Sequence, residues 1–150
     1  MRNAIPKFLA IVVVMIVLAF IPIRTLKCPS WDVWVIDRSG RPVPGITVRL
    51  SYRNYSAETQ FHESDAITDE QGHVNFSRQT LTVLLARRAI VILSSAMGGV
   101  HASFGSHASV FAFGDGLRGY DVDKQKDVIV DWTGIPDRME SRIVVMPQSR

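Results

Sequence analysis

Beyond Lys27 the sequence consists of short β-branched and aromatic runs that turn-forming residues separate. In the clearest run, residues 46–52, apolar and polar side chains alternate, which places one face of a strand in a core and the other in water. Further candidate strands are residues 31–37, 66–68, 73–76, 100–113, 127–132 and 142–146. The pattern predicts one mainly β domain over residues 28–150, an antiparallel sandwich of about seven or eight strands.

Residues 79–97 depart from this pattern, because they run for 19 residues without Gly or Pro. Apolar residues recur there at helical spacing, which favours an inserted helix that ends at Gly98 and Gly99. The Ile-Val-Ile sequence at 90–92 favours a strand instead, so both interpretations stay open. A second membrane span is not expected, because Arg87 and Arg88 would lie at its centre.

An apolar run without any charge begins at Phe8 and ends at Ile23. As a helix it would measure ~24 Å, which is short for a membrane core of ~30 Å but long for the apolar part of a cleaved signal. Lys7 and Arg24 flank the run, and such side chains reach the membrane interfaces. Residues 1–27 are therefore predicted to form a transmembrane or signal helix. An uncleaved anchor would hold residues 28–150 on the extracytoplasmic side, and a cleaved signal would release a secreted or periplasmic domain.

The charge distribution separates this N-terminal segment from the predicted domain. The net charge of +3 comes from 17 basic and 14 acidic residues, and three of the basic ones, Arg2, Lys7 and Arg24, flank the apolar run. From Lys27 onward the remaining 14 basic residues balance the 14 acidic ones. A neutral domain does not attract a phosphate backbone, so nucleic acid is not expected as a partner. Cys28 is the only cysteine, which excludes a disulfide within the chain.

Two segments within residues 35–76 carry a family resemblance. The first reads VIDRSGRPVPGITVRL, a strand end, a stiff crossing and a second strand, and the other reads TDEQGHVNF, a predicted hairpin turn. The turn residues concerned are Asp37, Gly40, Pro42, Pro44, Gly45, Asp69 and Gly72. Together the segments resemble the carboxypeptidase regulatory-like domain. The resemblance implies a sandwich of the prealbumin/transthyretin-like type and a non-catalytic accessory or binding module.

Candidate catalytic groups are sparse. His101 or His107, acting with a carboxylate such as Asp115, would suit a small envelope hydrolase. The sequence has no nucleophile-elbow motif and no zinc-protease motif, and on one continuous strand the two histidines would lie ~20 Å apart. No catalytic residue, cofactor or histidine metal site is therefore predicted.

Asp121, Asp123 and Asp127 are weak calcium candidates, because alternate carboxylates can ligate one ion from a single loop. Lys126 stands where the loop of an EF-hand requires Gly, and a solvated loop is the simpler interpretation.

Several aromatic residues are able to stack on a sugar or a peptide. Trp31 and Trp34 would lie on opposite faces of one strand, which leaves one of them outside the core. The full set is Trp31, Trp34, Trp132, Tyr52, Tyr55 and Tyr120.

Taken together, these features predict a non-catalytic, membrane-anchored or exported module that binds another envelope protein or a surface polymer. The alternatives are the small hydrolase and a structural subunit of a membrane complex that docks through residues 81–93.

Overall fold

The computed structural model describes residues 4–97, 103–121 and 126–147, which form a mainly β, sandwich-like domain. Two helices and eleven strands lie in these residues. The helices are α1 (Ala4–Ala19) and α2 (Leu85–Ala96). The strands are β1 (Pro22–Cys28), β2 (Ser30–Ile36), β3 (Thr47–Asn54), β4 (His62–Ile67), β5 (His73–Phe76), β6 (Gln79–Leu84), β7 (Ser106–Gly114), β8 (Leu117–Asp121), β9 (Lys126–Asp127), β10 (Val130–Trp132) and β11 (Arg138–Pro147).

The larger sheet has the strand order β4-β3-β7-β8-β11-β2-β5, with β10 paired to β7 and β9 paired to β8. β11 joins its two halves, because residues 138–144 pair with β2 and residues 145–147 pair with β8. The β11–β2 pairing is parallel, so the prediction of a wholly antiparallel sandwich is wrong at this point. Sequence patterns suggest which neighbouring runs form hairpins, whereas this pair joins strands that are about a hundred residues apart.

The core lies between the inward faces of the strands of the larger sheet. In β3 the buried residues Val48 and Leu50 alternate with half-buried polar ones, which confirms the predicted alternation. Four other strands contribute in the same way, and the buried apolar residues of β2, β5, β7 and β11 are Trp31, Val33, Val35, Val74, Phe76, Ala108, Val110, Ala112, Ile143 and Val145. Burial of these apolar side chains is the main stabilising contribution to the domain.

The predicted turn forms between β4 and β5, but the predicted hairpin is wrong. Asp69 Oδ1 accepts hydrogen bonds from the backbone N–H of Gln71 at 2.9 Å and of His73 at 2.8 Å. β4 nevertheless pairs with β3, and β5 pairs with β2 at the opposite end of the strand order. The hydrogen bonds of the turn involve only neighbouring residues, whereas the pairing of β4 and β5 depends on which other strands have unpaired edges.

The crossing between β2 and β3 is held by Asp37. Its Oδ1 accepts hydrogen bonds from the Ser39 hydroxyl and from the backbone N–H groups of Ser39 and Arg41, at 2.6 to 3.0 Å, and these bonds hold its pKa well below the usual range. Gly40 and Gly45 have φ angles of 80° and 76°, a region that side chains disfavour. The crossing thus requires the two glycines on which the resemblance rests.

Residues 79–97 combine both interpretations that the sequence left open. β6 pairs antiparallel with β1 in a separate two-stranded ribbon. α2 begins at Leu85, directly after Leu84, which pairs with Pro22 at the start of β1. The Leu85 N–H donates to the carbonyl of Ile21 at 3.0 Å, at the end of the ribbon. Arg87 and Arg88 therefore lie in the first turn of a 12-residue helix, not at the centre of a long apolar segment.

The prediction of a helix over residues 1–27 is wrong beyond Ala19, because the N-terminal apolar run is divided between a helix and a strand. α1 ends at Ala19, and Pro22 and Ile23 belong to β1 because they pair with β6. Phe8 is 69% exposed and Val17 is 62% exposed, so apolar side chains of α1 are not covered by the domain. Within residues 4–97, 103–121 and 126–147, no helix has the length and hydropathy needed to cross a membrane.

Candidate functional site: an aromatic and cationic cluster beside an open cavity

Aromatic and cationic side chains meet where β3 ends and β7 begins. We call Arg53, Tyr55, Phe61, Phe104 and His107 the Tyr55 cluster. The register of β3 and β7 places Arg53 directly opposite His107, and side chains of directly opposite residues lie on the same face of a sheet. Tyr55 follows β3 immediately, and its backbone N–H donates to the carbonyl of Gly105 at 2.8 Å. The sheet thus fixes the backbone on which these rings stand.

Arg53 is the centre of the cluster. Its guanidinium carbon lies 4.6 Å from the centroid of the Tyr55 ring and 4.8 Å from that of Phe61, both of which are cation–π distances. The two rings contact each other edge to face at 5.9 Å. Phe61 is nevertheless 61% exposed. Within the described residues the Arg53 Nε is buried and makes no hydrogen bond. Because its ring is exposed and held in place against a cation, Phe61 is able to stack on a ligand.

An open cavity of about 490 Å³ adjoins the cluster and is lined by Tyr55, Phe104 and His107. His107 lies edge to face with Tyr55 at 6.5 Å, and its Nε2 is 3.7 Å from the Asp131 carboxylate. Polar groups complete the lining, namely Ser103, Ser106 and Thr133. Ring faces beside hydroxyl groups and an imidazole are typical of sites that bind sugars or peptides, because they combine stacking with directional hydrogen bonds.

A buried ion pair supports the segment that carries Tyr55 and Phe61. Glu58 Oε2 lies 2.9 Å from Lys27 Nζ and 2.8 Å from His62 Nε2, and Oε1 accepts from the Asn54 backbone N–H at 3.0 Å. Burial would raise the pKa of Glu58, but the hydrogen bonds from Lys27, His62 and Asn54 outweigh it and hold the pKa below its usual value. The Tyr52 ring stacks on His62 at 5.3 Å. The pair therefore ties β1 to the β3–β4 loop.

The other predicted aromatic residues lie elsewhere. Trp31 is fully buried and donates its Nε1–H to Ser141 Oγ at 2.9 Å, whereas Trp34 is half-buried on the other face, 5.0 Å from the His73 ring. The predicted division of these two residues between opposite faces is confirmed. Trp132 is buried, and the side chain of Tyr120 lies outside the described residues.

A second polar group lies around Asp32, on the outer face of β2. Its carboxylate accepts hydrogen bonds from Asn75 at 2.8 Å, His73 at 3.1 Å and Arg138 at 3.3 Å. The hydrogen bond from Asn75 is the main cause that lowers the pKa of Asp32, and the hydrogen bond from His73 and the positive charge of Arg138 lower it further against the effect of burial. This carboxylate joins β5, β2 and β11, and with three donors it serves as a cross-link of the sheet.

The structure does not bring together the groups of the predicted hydrolase site. Asp115 lies in the turn after β7, eight residues from His107 along an extended strand, which is ~26 Å. The carboxylate beside His107 is instead Asp131. His101 lies outside the described residues.

The predicted calcium loop lies partly beyond the described part of the chain. Asp121 and Asp127 belong to the paired strands β8 and β9, and Asp123 lies outside the described residues. Within those residues there is no group of three or more His, Cys, Asp or Glu side chains able to hold a metal ion.

Sequence patterns did not point to Arg53, Phe61 or Phe104. The stacking of Arg53 depends on the β3–β7 register and on the course of the β3–β4 loop, neither of which a local pattern specifies. The Arg-x-Tyr spacing at 53–55 was the one available signal, because it places a cation and a ring near each other at the end of a predicted strand.

Cys28 belongs to the core, where its thiol is completely buried. Burial raises the pKa of this thiol to about 12, so it stays protonated at neutral pH. We expect the folded protein to resist thiol reagents at about pH 8 and to react fully once it is unfolded in urea. The measurement is the rate of thiol modification in each state. Equal rates would show that Cys28 is accessible in the folded domain.

Comparisons with known proteins add little to this site. No protein-family model matches the sequence, and no curated protein matches it. A 3-chlorocatechol 1,2-dioxygenase from Rhodococcus opacus 1CP is similar at 12% identity with a TM-score of 0.45, over 81% of this chain and 60% of that one. A 9R-lipoxygenase from Cyanothece PCC8801 is similar at 11% identity with a TM-score of 0.36, over 80% of this chain and 16% of that one. Both scores are too low to bear on fold or function.

Proposed function

We propose that this chain is a non-catalytic, membrane-anchored β-sandwich module that binds a surface polymer or another envelope protein through the Tyr55 cluster. The observation that carries the proposal is the exposed Phe61 ring, which is held against Arg53 and against Tyr55, a residue that lines the open cavity. Stacking on the rings would supply affinity, and His107 with the hydroxyl groups of the lining would supply direction. Binding of this kind requires no proton transfer and no cofactor.

Membrane attachment by α1 is the second part of the proposal. A helix that is apolar on every side belongs in a protein core or in lipid, and the Phe8 and Val17 side chains of α1 are exposed. Lys7 and Arg24 lie beyond the two ends of the apolar stretch, where their side chains can extend to lipid headgroups. The sandwich would then face the extracytoplasmic side, and removal of the N-terminal segment as a signal would release it.

We also propose that the sandwich is of the carboxypeptidase regulatory-like, transthyretin-like type. Support comes from the two turns of the resemblance, because Asp37 and Asp69 each accept backbone hydrogen bonds in the way such turns require. The fixed sandwich would then present its loops as the binding surface.

The binding site is tested by substitutions in the cluster. We expect Tyr55→Ala and Phe61→Ala each to weaken binding to envelope polysaccharide at least about tenfold, because each removes a stacking surface worth ~1.4 kcal/mol or more. The measurement is affinity electrophoresis or calorimetry with polysaccharide fractions, followed by peptide fractions from envelope proteins.

Phe113→Ala is the matched control. Phe113 also stacks on a neighbouring ring and lies under an arginine, Arg49, but it lies at the other end of β7. Weaker binding of the Phe113 variant, with unchanged binding of the Tyr55 variant, would place the site elsewhere. A hydrolytic activity of the purified protein that His107→Ala abolishes would replace the binding function by the hydrolase.

A further inference from the structure

An exposed apolar stripe runs along α2. Ile90 is 68% exposed, Leu93 66% and Met97 83%, and their spacing places all three on one side of the helix. Val91 is buried on the other side, which faces the domain. Because the inner face of α2 already packs on the domain, we expect a separate apolar surface to cover the outer stripe.

The position of α2 indicates what covers it. The ribbon of β1 and β6 brings the start of α2 to the end of α1, because Pro22 pairs with Leu84 and the Leu85 N–H donates to the carbonyl of Ile21. The two helices contact each other. The start of α2 therefore lies beside the end of α1, whose apolar side chains are exposed.

Three arginines surround this junction. Arg24 donates to the hydroxyl of Thr80 and Arg88 donates to that of Thr25, while Arg87 is exposed. Arg88 points toward β1 and its Nε is buried. Arg24 and Arg87 are exposed, and among the described residues neither forms an ion pair with a carboxylate, so the charges of these two are available to an external anion. Cations beside an apolar helix face are typical of contact with the phosphates of a lipid headgroup layer.

We propose that α2 is a second membrane contact, which lies in the headgroup layer of an anionic phospholipid bilayer beside the helix that anchors the chain. Ile90, Leu93 and Met97 enter the apolar boundary, and Arg24 and Arg87 contact lipid phosphates. The proposal rests on the anchoring by α1. It adds a fixed orientation, because two contacts hold a domain at one angle to the membrane, whereas a single tether leaves it free to rotate.

This orientation places the candidate binding site close to the membrane. Ser95, near the end of α2, donates its hydroxyl to the carbonyl of Tyr55 at 3.5 Å. The Tyr55 cluster therefore lies beside the last turn of α2 and would face a ligand that is itself close to the bilayer.

The test uses the full-length protein in vesicles of phosphatidylcholine and phosphatidylglycerol. A Leu93→Cys variant carries an environment-sensitive fluorophore, and the native Cys28 stays unlabelled because it is buried. The control is Glu70→Cys in the exposed β4–β5 turn, which lies at the Thr47 end of β3, whereas Tyr55 follows the other end. We expect brominated lipids to quench the label at residue 93 at least about twofold and to leave the label at residue 70 unchanged.

The outcomes separate this proposal from the anchoring itself. If the protein floats with the vesicles but the label at residue 93 is quenched no more than that at residue 70, α2 does not touch the membrane. If the protein fails to float, the anchoring by α1 is wrong and the α2 contact falls with it. If envelope proteins must be added before the label at residue 93 leaves water, a protein covers α2 and the lipid contact is overturned.

Discussion

Replacement of Glu58 by Gln should lower the free energy of unfolding by about 3 kcal/mol, because it leaves the Lys27 ammonium buried beside a neutral group. The side chains of Lys27 and Glu58 are each only 10% exposed, so water cannot compensate for the lost charge. Gln keeps an oxygen for the Asn54 N–H, which isolates the effect of charge from that of the backbone hydrogen bond. Urea denaturation followed by tryptophan fluorescence measures the change.

Two further variants test this explanation. The double replacement of Lys27 by Met and Glu58 by Gln should recover much of the loss, because no unpaired charge is then buried. Asp65→Asn removes the partner of Arg49 from a pair of similar length, 2.7 Å, whose side chains are 34% and 42% exposed, and it should leave the midpoint of denaturation unchanged. Equal losses in the Glu58 and Asp65 variants would show that burial does not determine the strength of these pairs.

The same pair predicts a dependence on pH. The pKa of Glu58 is lower in the folded protein than its usual value of 4.5, so its contribution to stability is fully present above that value. The contribution is lost as the pH falls through the lowered pKa, because the proton then binds the folded protein as well. Glu58→Gln should therefore show a smaller loss of stability than the original chain when both are titrated below about pH 4.5.

Replacement of Gly72 by Ala should destabilise the domain by more than about 2 kcal/mol. Its φ angle is 68°, and a Cβ atom at this position would lie 2.5 Å from the carbonyl oxygen of Val35 and 3.0 Å from the backbone nitrogen of Val43. Gly72 also accepts the hydrogen bond of the Val35 N–H through its own carbonyl at 2.8 Å. The strand cannot move away without losing this bond. Thermal and urea denaturation measure the effect.

Gly40→Ala separates backbone conformation from crowding. Gly40 has a similar φ of 80°, but no atom lies within 4 Å of the position of its Cβ. Its replacement should cost about 1 kcal/mol, from the conformation alone. A loss in the Gly72 variant no larger than that in the Gly40 variant would contradict the close approach to Val35.

Local features of the fold could be predicted from the sequence, and pairing between distant strands could not. The alternation of residues 46–52 identified β3, and Asp37 and Asp69 identified their turns, because each signal depends on neighbouring residues. The parallel partner of β2 is β11, far along the chain, and no local pattern specifies it. For residues 79–97 the sequence left helix and strand open for a related reason. β6 forms because it pairs with β1, and α2 begins directly after the last paired residue, Leu84.

In the candidate site, too, local features could be predicted from the sequence and contacts between distant residues could not. The alternation of a strand was enough to place Trp31 and Trp34 on opposite faces. The Tyr55 cluster needed the register of β3 on β7 and the loop that returns Phe61 to Arg53, which are set by tertiary packing. The expected partner of His107 was Asp115, near in sequence, and the observed neighbour is Asp131, on the strand that pairs with β7.

The central position of β11 imposes an order on the synthesis of this domain. β11 lies between β8 and β2, and its Ile143 and Val145 are buried in the core. The two parts of the larger sheet that β11 joins therefore cannot pair through it until residues 138–147 have left the ribosome. Until then β2 has an open edge, and the nascent chain exposes the apolar faces that β11 later covers. Folding should therefore follow translation, and a chain that stops before residue 138 should be a substrate for chaperones and proteases.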